Sequence, residues 1–260
     1  MRITTAFTTA VFTALFSTVN SHSWVSQVQL VSGDGAGTLG YSRYYRGHID
    51  DNETIKHLNP ALNTYVCKDF TQGRVADSDK TTPQGTAYPI LDASPGDRIA
   101  LFWKDNGHVT LDSNLFKAPT ATPGNVTVYG TTTERKLTLT EVVKWEKNGG
   151  KDGRLLTIAP YDDGSCAEDN QSKIALERGV DGQSKDCRMY VTIPEDVGSE
   201  KYYTLYWVWD FSMKTGTRTT EWYTSCIDIA IKDKSKAKSG GAPAKKKREL
   251  GYSAKFRVRE

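Results

Sequence analysis

The sequence predicts an all-β fold, either an antiparallel sandwich or a barrel. Three observations support this prediction: apolar and polar residues alternate over many short runs, turn-forming residues separate these runs, and helix signals are sparse. Short strands joined by Gly- and Pro-rich turns are typical of such architectures. A chain of 260 residues is long enough for one large β domain or two small ones.

The first strand is predicted at residues 25–31, where apolar and polar side chains alternate. Residues 32–88 are rich in Gly, Asn, Asp, Thr and Tyr without a sustained period, so we predict a long structured loop region. A strand at 98–103 is followed by a turn, and a strand is predicted to resume at 108–111. Further strands are predicted at 125–130, 139–146, 153–159, 188–193, 202–210 and 220–231, and a short helix near 171–178.

The N-terminus has the features of a secretory signal peptide. Arg2 gives a positive start, an apolar stretch follows, and Val19 and Ser21 occupy the −3 and −1 positions of a small-residue cleavage site. The stretch is too short for a membrane span, and no later segment approaches eighteen apolar residues. We therefore expect residues 1–21 to be removed, and a secreted, extracellular protein that begins at His22.

The cysteines and glycosylation motifs fit an exported protein. Four cysteines, an even number, predict two disulfides in an oxidising compartment, and four cysteines allow three pairings. N-glycosylation motifs begin at Asn52, Asn125 and Asn170.

Charge is distributed unevenly along the chain. The net charge is +3, but residues 232–260 carry +8, which leaves the rest of the mature chain at −6. An acidic body argues against nucleic acid as a partner and is compatible with a neutral or cationic polysaccharide. We predict one domain at 22–231 and a basic, mostly disordered tail at 232–260. That tail is either merely solvated or a handle for an anionic cell-wall polymer or membrane surface.

An N-terminal histidine can do chemistry that an internal histidine cannot. Its α-amino group and ring nitrogen can chelate one metal ion, and a second histidine completes three nitrogens in a T-shaped plane. Amine and imidazole nitrogens in tetragonal geometry favour copper. Copper can displace both protons at mildly acidic to neutral pH, because the α-amine and imidazole have ordinary pKa values of about 8 and about 6.5. We predict one copper ion at His22.

The partner of His22 must be one of three histidines: His48, His57 or His108. The last follows the turn Asp105-Asn106-Gly107 at the predicted start of a strand, which would give it a rigid position at a surface edge. His48 and His57 fall in the polar loop region and are interpreted as exposed loop histidines. We therefore predict a metal site formed by His22 and His108.

A third part of the candidate site lies in the predicted strand at 220–231. Residues two apart on a strand share a face, so Glu221 and Tyr223 point the same way and Cys226 points to the other side. A tyrosine hydroxyl can be a weak axial neighbour of copper, and a carboxylate beside it can move a proton. A core tyrosine with a rim glutamate is the alternative interpretation.

Together, terminal His22, Gly107-His108-Val109 and the Tyr223-x-x-Cys226 strand resemble the lytic polysaccharide monooxygenases of fungi. The cellulose-active fungal family typically has Gln-x-Tyr-x-x-Cys on this strand, and Glu221 replaces the Gln here. The chain is also similar, over most of 22–231, to a group of fungal secreted proteins that begin His-Ser-Trp-Val. The segments shared with that group lie at 95–97, 106–111, 128–132, 203–210 and 223–226.

This resemblance implies an immunoglobulin/fibronectin-like antiparallel β-sandwich with long loops and copper on a flat exposed face. His22 and His108 would form the copper brace, Tyr223 would be axial and Glu221 would relay protons. The activity implied is copper-dependent oxidative cleavage of a polysaccharide or cell-wall polymer, by a monomer that uses an external electron donor. One departure is that residues 206–210 lack the family's further histidine, so either Glu221 takes that function or oxygen activation is impaired.

The resemblance also favours the pairings Cys67–Cys226 and Cys166–Cys187. Other side chains are open to two interpretations. A cluster of tyrosines in the loop region could stack on sugar rings or pack within the loops, and acidic residues at 162–169 could bind calcium or be solvated. The tyrosines are Tyr41, Tyr44 and Tyr45.

Two other functional classes compete with a monooxygenase. One is a secreted copper-binding protein that has the brace but no oxidative activity. The other is a metal-free sandwich that binds carbohydrate or a partner. A glycoside hydrolase is disfavoured, because no paired acid and nucleophile stands out.

Overall fold

The computed structural model describes residues 23–43, 45, 56–58 (backbone only), 65–67, 88–109, 123–149, 152–198, 202–211 and 222–233. Several predicted features lie outside these residues, among them the signal peptide at 1–21, His22, Glu221 and nearly all of the basic tail. The boundaries of the domain at 22–231 stay a prediction.

Ten strands are found in the described part of the chain. In chain order, β1 to β10 are Val25–Leu30, Leu39–Tyr41, Lys56–Leu58, Leu91–Ala93, Arg98–Trp103, Asn125–Thr131, Arg154–Pro160, Cys187–Thr192, Tyr202–Asp210 and Trp222–Ile231. Helices in this part are short: α1 is Leu139–Val142, α2 is Lys173–Glu177, and Glu195–Val197 forms one 3₁₀ turn.

The strands form two sheets. One has the order β2-β1-β5-β8 and is antiparallel throughout. The other has the order β3-β10-β9-β6-β7, and β4 adds to β10. That last pairing is parallel, with Leu91 opposite Ile229, and it is the exception among the described pairs. The predicted all-β, antiparallel sandwich is therefore confirmed.

Alternation along β9 explains why this strand lies at the centre of the protein. Leu205, Trp207 and Trp209 point into the core between the two sheets, whereas Tyr206 and Val208 belong to a second apolar cluster on the opposite face. Both faces are covered, so eight of the nine residues are buried. A strand buried on both faces has to be apolar nearly throughout.

A second apolar layer covers the outer side of the six-stranded sheet. Leu137, Leu139 and Val142 pack there with Val66 and Cys67. The Cys67–Cys226 disulfide joins this layer to β10, and Cys166–Cys187 joins the loop after β7 to β8. These are the two pairings that the resemblance favours.

A buried ion pair also lies on this side of β10. The Nε and Nη2 atoms of Arg43 donate to the two carboxylate oxygens of Asp228, at 2.6 and 2.7 Å, and both side chains are almost fully buried. The hydroxyl of Thr204 donates to the same carboxylate at 2.7 Å. Two charges at this depth are tolerated because they are paired and hydrogen-bonded.

The predicted strand at 139–146 is wrong, because this segment begins with helix α1. Thr138 accepts a hydrogen bond from the backbone N–H of Glu141, and the Glu141 carboxylate accepts one from the N–H of Thr138. This reciprocal capping box is a local signature of a helix start. It decides the conformation where apolar content alone did not distinguish helix from strand.

Two other predictions need correction. The region 32–88 is not all loop, because it contains β2 and β3. Residues 106–109 form a turn rather than entering a strand. Asn106 and Gly107 there have φ of 44° and 78°, left-handed values that Asn and Gly tolerate best and that a strand does not contain.

Candidate metal site

The chain just after His22 is tied to two distant parts of the protein. Ser23 is fully buried, and its Oγ donates to the backbone carbonyl of Lys104 at 3.0 Å. The backbone N–H of Val25 donates to the Oγ of Ser225 at 2.9 Å. The first bond leads to the loop that carries His108, and the second leads to the strand that carries Tyr223.

The loop that carries His108 is held by the buried side chain of Asp105. Its carboxylate accepts hydrogen bonds from the backbone N–H of Val109 and, at 3.3 Å, from that of Glu168. The backbone carbonyl of Asp105 accepts from the N–H of His108 at 3.0 Å. Burial raises the pKa of Glu168, and the charge of Asp105 raises it further.

A buried tyrosine, Tyr161, also holds this loop. The hydroxyl of Tyr161 lies 3.0 Å from the carbonyl oxygen of Lys104 and 3.2 Å from that of Asp105. Burial raises the pKa of this phenol well above its ordinary value, so it remains a hydrogen-bond donor. Its ring is stacked on Trp209, with centroids 4.0 Å apart.

His108 and Tyr223 pack against the same two aromatic rings. The His108 ring lies edge-on to Trp209 and Phe211, at centroid distances of 4.5 and 4.8 Å. Tyr223 is stacked on Trp209 at 5.3 Å and meets Phe211 at 6.1 Å. Trp209 lies opposite Tyr223 in the β9–β10 register, so the sheet itself fixes this arrangement.

Both candidate ligands in the described part of the chain are buried. His108 and Tyr223 are each 2% exposed. The prediction that His108 occupies a surface edge at the start of a strand is therefore wrong. The rings of Tyr161, Trp209 and Phe211 cover it. No local pattern around His108 encodes those contacts.

The predicted alternation along β10 is confirmed. Tyr223 and Ile227 belong to the core between the sheets, whereas Cys226 lies on the opposite face. The two remaining predicted site residues, His22 and Glu221, lie outside the described residues. Their roles stay predictions.

The interpretation of His57 as a loop residue is wrong, because its backbone is in β3, directly opposite Tyr223 on β10. Three residues of strand are too few for a period to be recognised in the sequence. His48 lies outside the described residues.

Sequence reasoning also missed the residues that hold the loop. Asp105 had a local signal, because an aspartate beside Asn-Gly commonly accepts hydrogen bonds from a turn. Ser23, Ser225 and Tyr161 had none, since their partners are 56 or more positions away.

The acidic residues at 162–169 have structural roles. Among the described residues, Asp162, Asp163 and Cys166 could group around a metal ion. However, Asp162 makes two hydrogen bonds to the guanidinium of Arg178, at 2.7 and 2.8 Å. Asp163 caps backbone N–H groups, including those of Ser165 and Cys166, and the cysteine is in a disulfide. These contacts account for the cluster without calcium.

The tyrosine cluster is in part loop packing. Tyr41 and Tyr45 are stacked with centroids 5.0 Å apart, and both meet Tyr88 edge-on. Tyr45 is 6% exposed, and burial raises its pKa. It is therefore not a platform for a sugar ring. Tyr44 lies outside the described residues.

The predicted glycosylation sites have different surroundings. Asn125 is exposed at the start of β6. Asn170 is partly buried, and its Oδ1 accepts from the backbone N–H of Ser172 at 3.1 Å. Asn52 lies outside the described residues. Modification at all three positions stays a prediction.

No helix in the described ranges is long and apolar enough to cross a membrane.

Solved structures that are similar to this chain include a cellulose-active polysaccharide monooxygenase from M. thermophila. It matches at 15% identity and covers 82% of this chain and 78% of that one, with a TM-score of 0.36. Cel61B, a glycoside hydrolase family 61 member from Hypocrea jecorina, matches at 13% identity over 82% of each chain, with a TM-score of 0.36. An AA10 lytic polysaccharide monooxygenase from Streptomyces lividans matches at 14% identity over 68% of this chain and 82% of that one, with a TM-score of 0.32.

A comparison with curated proteins finds no match. A family model, described as a domain of unknown function (DUF7492), matches residues 19–255. The chain belongs to this family.

Proposed function

We propose that this chain is a secreted copper protein that oxidatively cleaves a polysaccharide, with copper held by His22 and His108. One observation carries the proposal: three distant segments are tied to one another around Trp209 and Phe211. They are the residues just after His22, the loop 104–109 and the start of β10. Hydrogen bonds join the first to the other two, and Trp209 with Phe211 joins His108 to Tyr223.

The available donors fit copper. His108 provides an imidazole and Tyr223 a phenol oxygen, both suited to tetragonal copper. His22 is covalently bonded to Ser23, which is itself hydrogen-bonded to the loop of His108. Cleavage after Ser21 would therefore create a terminal amine and provide a second imidazole at the residue before Ser23, whose side chain bonds to this loop.

Copper held by these residues would supply one-electron chemistry, with peroxide or oxygen as co-substrate, for the oxidation of a C–H bond next to a glycosidic linkage. The chain's own residues have separate tasks. Asp105 and Tyr161 hold the loop, and the rings of Trp209 and Phe211 exclude water from the His108 side. Glu221, one residue before β10, would move a proton at its carboxylate. Electrons would come from an external donor.

The burial of His108 and Tyr223 favours a second candidate, a copper-binding protein without oxidative activity. A polymer chain can be oxidised only where the metal is open to it. A copper site whose histidine is covered by aromatic rings would be equally suited to capture or transport of the metal.

Copper binding can be tested on correctly processed protein. Intact mass must show His22 as the first residue, and a start at Trp24 would overturn both copper proposals. Titration with Cu(II) should give a tetragonal EPR spectrum that is lost in His108→Ala. One alanine added ahead of His22 keeps every side chain but moves the terminal amine, and should weaken binding strongly. His48→Ala is the matched control and should bind as the wild type does.

Catalysis can be tested separately with copper-loaded protein. Peroxide-driven release of oxidised oligosaccharides, detected by mass spectrometry across a polysaccharide panel, would support the enzyme. Release should fall in Tyr223→Phe and Glu221→Gln while copper remains bound. Copper binding without such products would support the capture protein. Absence of copper binding by the wild type would leave a metal-free sandwich.

A further inference from the structure

The outward face of the four-stranded sheet carries an unusual set of side chains. Alternation turns Val28 on β1, Ile99 and Leu101 on β5, and Met189 on β8 into the core. Residues one position away on the same strands therefore point outward. Six of them define what we call the outer sheet face: Gln27, Gln29, Arg98, Phe102, Arg188 and Tyr190.

Strand register arranges these side chains in three rows, and Arg98 lies in the third, opposite Thr192. Gln27 lies opposite Phe102, which lies opposite Arg188. In the next row, Gln29 and Tyr190 flank Ala100. Adjacent strands are about 4.8 Å apart, so each of the first two rows crosses about 10 Å of sheet.

The two arginines on this face have no acidic partner among the described residues. Neither Arg98 nor Arg188 forms an ion pair there, although Arg98 packs over the Tyr190 ring with its Cζ atom 4.2 Å from the centroid. A carboxylate oxygen of Asp163 accepts the backbone N–H of Arg188 at 3.0 Å, rather than pairing with its guanidinium. Both arginines are exposed, and Tyr190 is 36% exposed.

We propose that the outer sheet face binds a polysaccharide that carries carboxylates. Guanidinium groups bind carboxylates bidentately. The Phe102 ring, and the part of the Tyr190 ring that Arg98 does not cover, offer apolar surface to sugar rings. The amides of Gln27 and Gln29 can hydrogen-bond hydroxyls. Local positive charge on this face contrasts with the acidic balance of the body as a whole. This binding goes beyond the proposed copper chemistry and needs no metal.

The test uses the copper-free full chain and two matched polymers. Oligogalacturonate carries one carboxylate per sugar, and its methyl-esterified form has the same backbone without the charge. Titration calorimetry should show binding to the first only, weakened as salt is raised. Equal affinity for both polymers, or no binding to the acidic one, would overturn the proposal.

Variants locate the binding surface. Arg98→Ala with Arg188→Ala, and separately Tyr190→Ala, should each weaken binding by about tenfold or more, since hydrogen bonds to charged groups and buried rings are worth that much. Lys136 and Tyr65 are a second exposed cation–aromatic pair, 5.3 Å apart and away from this sheet. Lys136→Ala and Tyr65→Ala are therefore matched controls and should bind normally. Equal loss in the controls, at unchanged thermal stability, would place binding elsewhere.

Discussion

The backbone N–H of Val25 donates a hydrogen bond to the Oγ of Ser225, 2.9 Å away, although 200 positions separate the two residues. This contact lies three residues after His22 and two after Tyr223. It ties the segment that would provide the terminal amine to the strand that provides the phenol.

Ser225→Ala should therefore lower both stability and copper affinity. The substitution leaves the buried N–H of Val25 without this acceptor, at a cost of about 1–3 kcal/mol in the free energy of unfolding. Urea denaturation and Cu(II) titration measure the two effects. Ser26→Ala is the control, because its hydroxyl meets the Phe102 carbonyl only at 3.5 Å. Equal effects of the two variants would contradict the assigned role of Ser225.

Asp105→Ala should weaken Cu(II) binding by about 10–100-fold, the usual effect of removing a side chain that orients a metal ligand. The N–H groups of Val109 and Glu168 would lose their acceptor, and the loop of His108 would lose its clamp. Competition with a chelator measures the affinity, and amide hydrogen exchange at Val109 reports the loop directly.

Asp97→Ala is the matched control for this prediction. Asp97 is also buried and accepts a backbone N–H, that of Ser94 at 2.8 Å, but at the opposite end of β5. The Asp97→Ala variant should be less stable than the wild type but should bind Cu(II) with the same affinity. A wild type that binds copper, with the two variants indistinguishable, would show that Asp105 is merely structural.

Arg43→Met should cost about 3–5 kcal/mol in the free energy of unfolding, because it leaves the buried carboxylate of Asp228 without its ion-pair partner. The double variant Arg43→Met/Asp228→Leu should recover much of that loss, since no charge remains buried. Arg154→Met breaks an exposed pair with Asp196 and should cost about 1 kcal/mol or less. Denaturation of all three variants measures their free energies of unfolding. A double variant that is less stable than Arg43→Met would contradict the prediction.

Stability should decrease in acid through the capping box of α1. The N–H of Thr138 and the guanidinium of Arg135 lower the pKa of Glu141 from 4.5 to about 2. Because this pKa is lower in the folded than in the unfolded state, the ionised carboxylate stabilises the fold when the pH is above the pKa of the unfolded state. The stabilisation is lost as the pH falls from about 4.5 to about 2. Glu141→Gln should remove this part of the pH dependence. Its size is about 1 kcal/mol, because Glu141 is well exposed. Thermal unfolding at pH 3 and pH 6 measures the difference, which should be smaller in the variant.

The sequence determined the features that depend on local periodicity. Alternation marked β1, and turn signals helped to delimit β5 and β9. The two-residue period correctly separated Tyr223 from Cys226 on the two faces of β10. The helix near 171–178 was also found, at Lys173–Glu177. The strand predicted at 139–146 failed, because apolar content outweighed the capping signal at Thr138 and Glu141.

Only the tertiary structure decided how the candidate site is built. The burial of His108 comes from Trp209 and Phe211, about a hundred positions away in the chain, and the short β3 places His57 opposite Tyr223. Which strands become neighbours depends on the apolar surface that both sheets bury together. The residues that bury it are far apart in the chain, so no short stretch of sequence determines the pairing. The residue types in the chain thus predicted a candidate metal site, while sheet register and core packing set which side chains surround it.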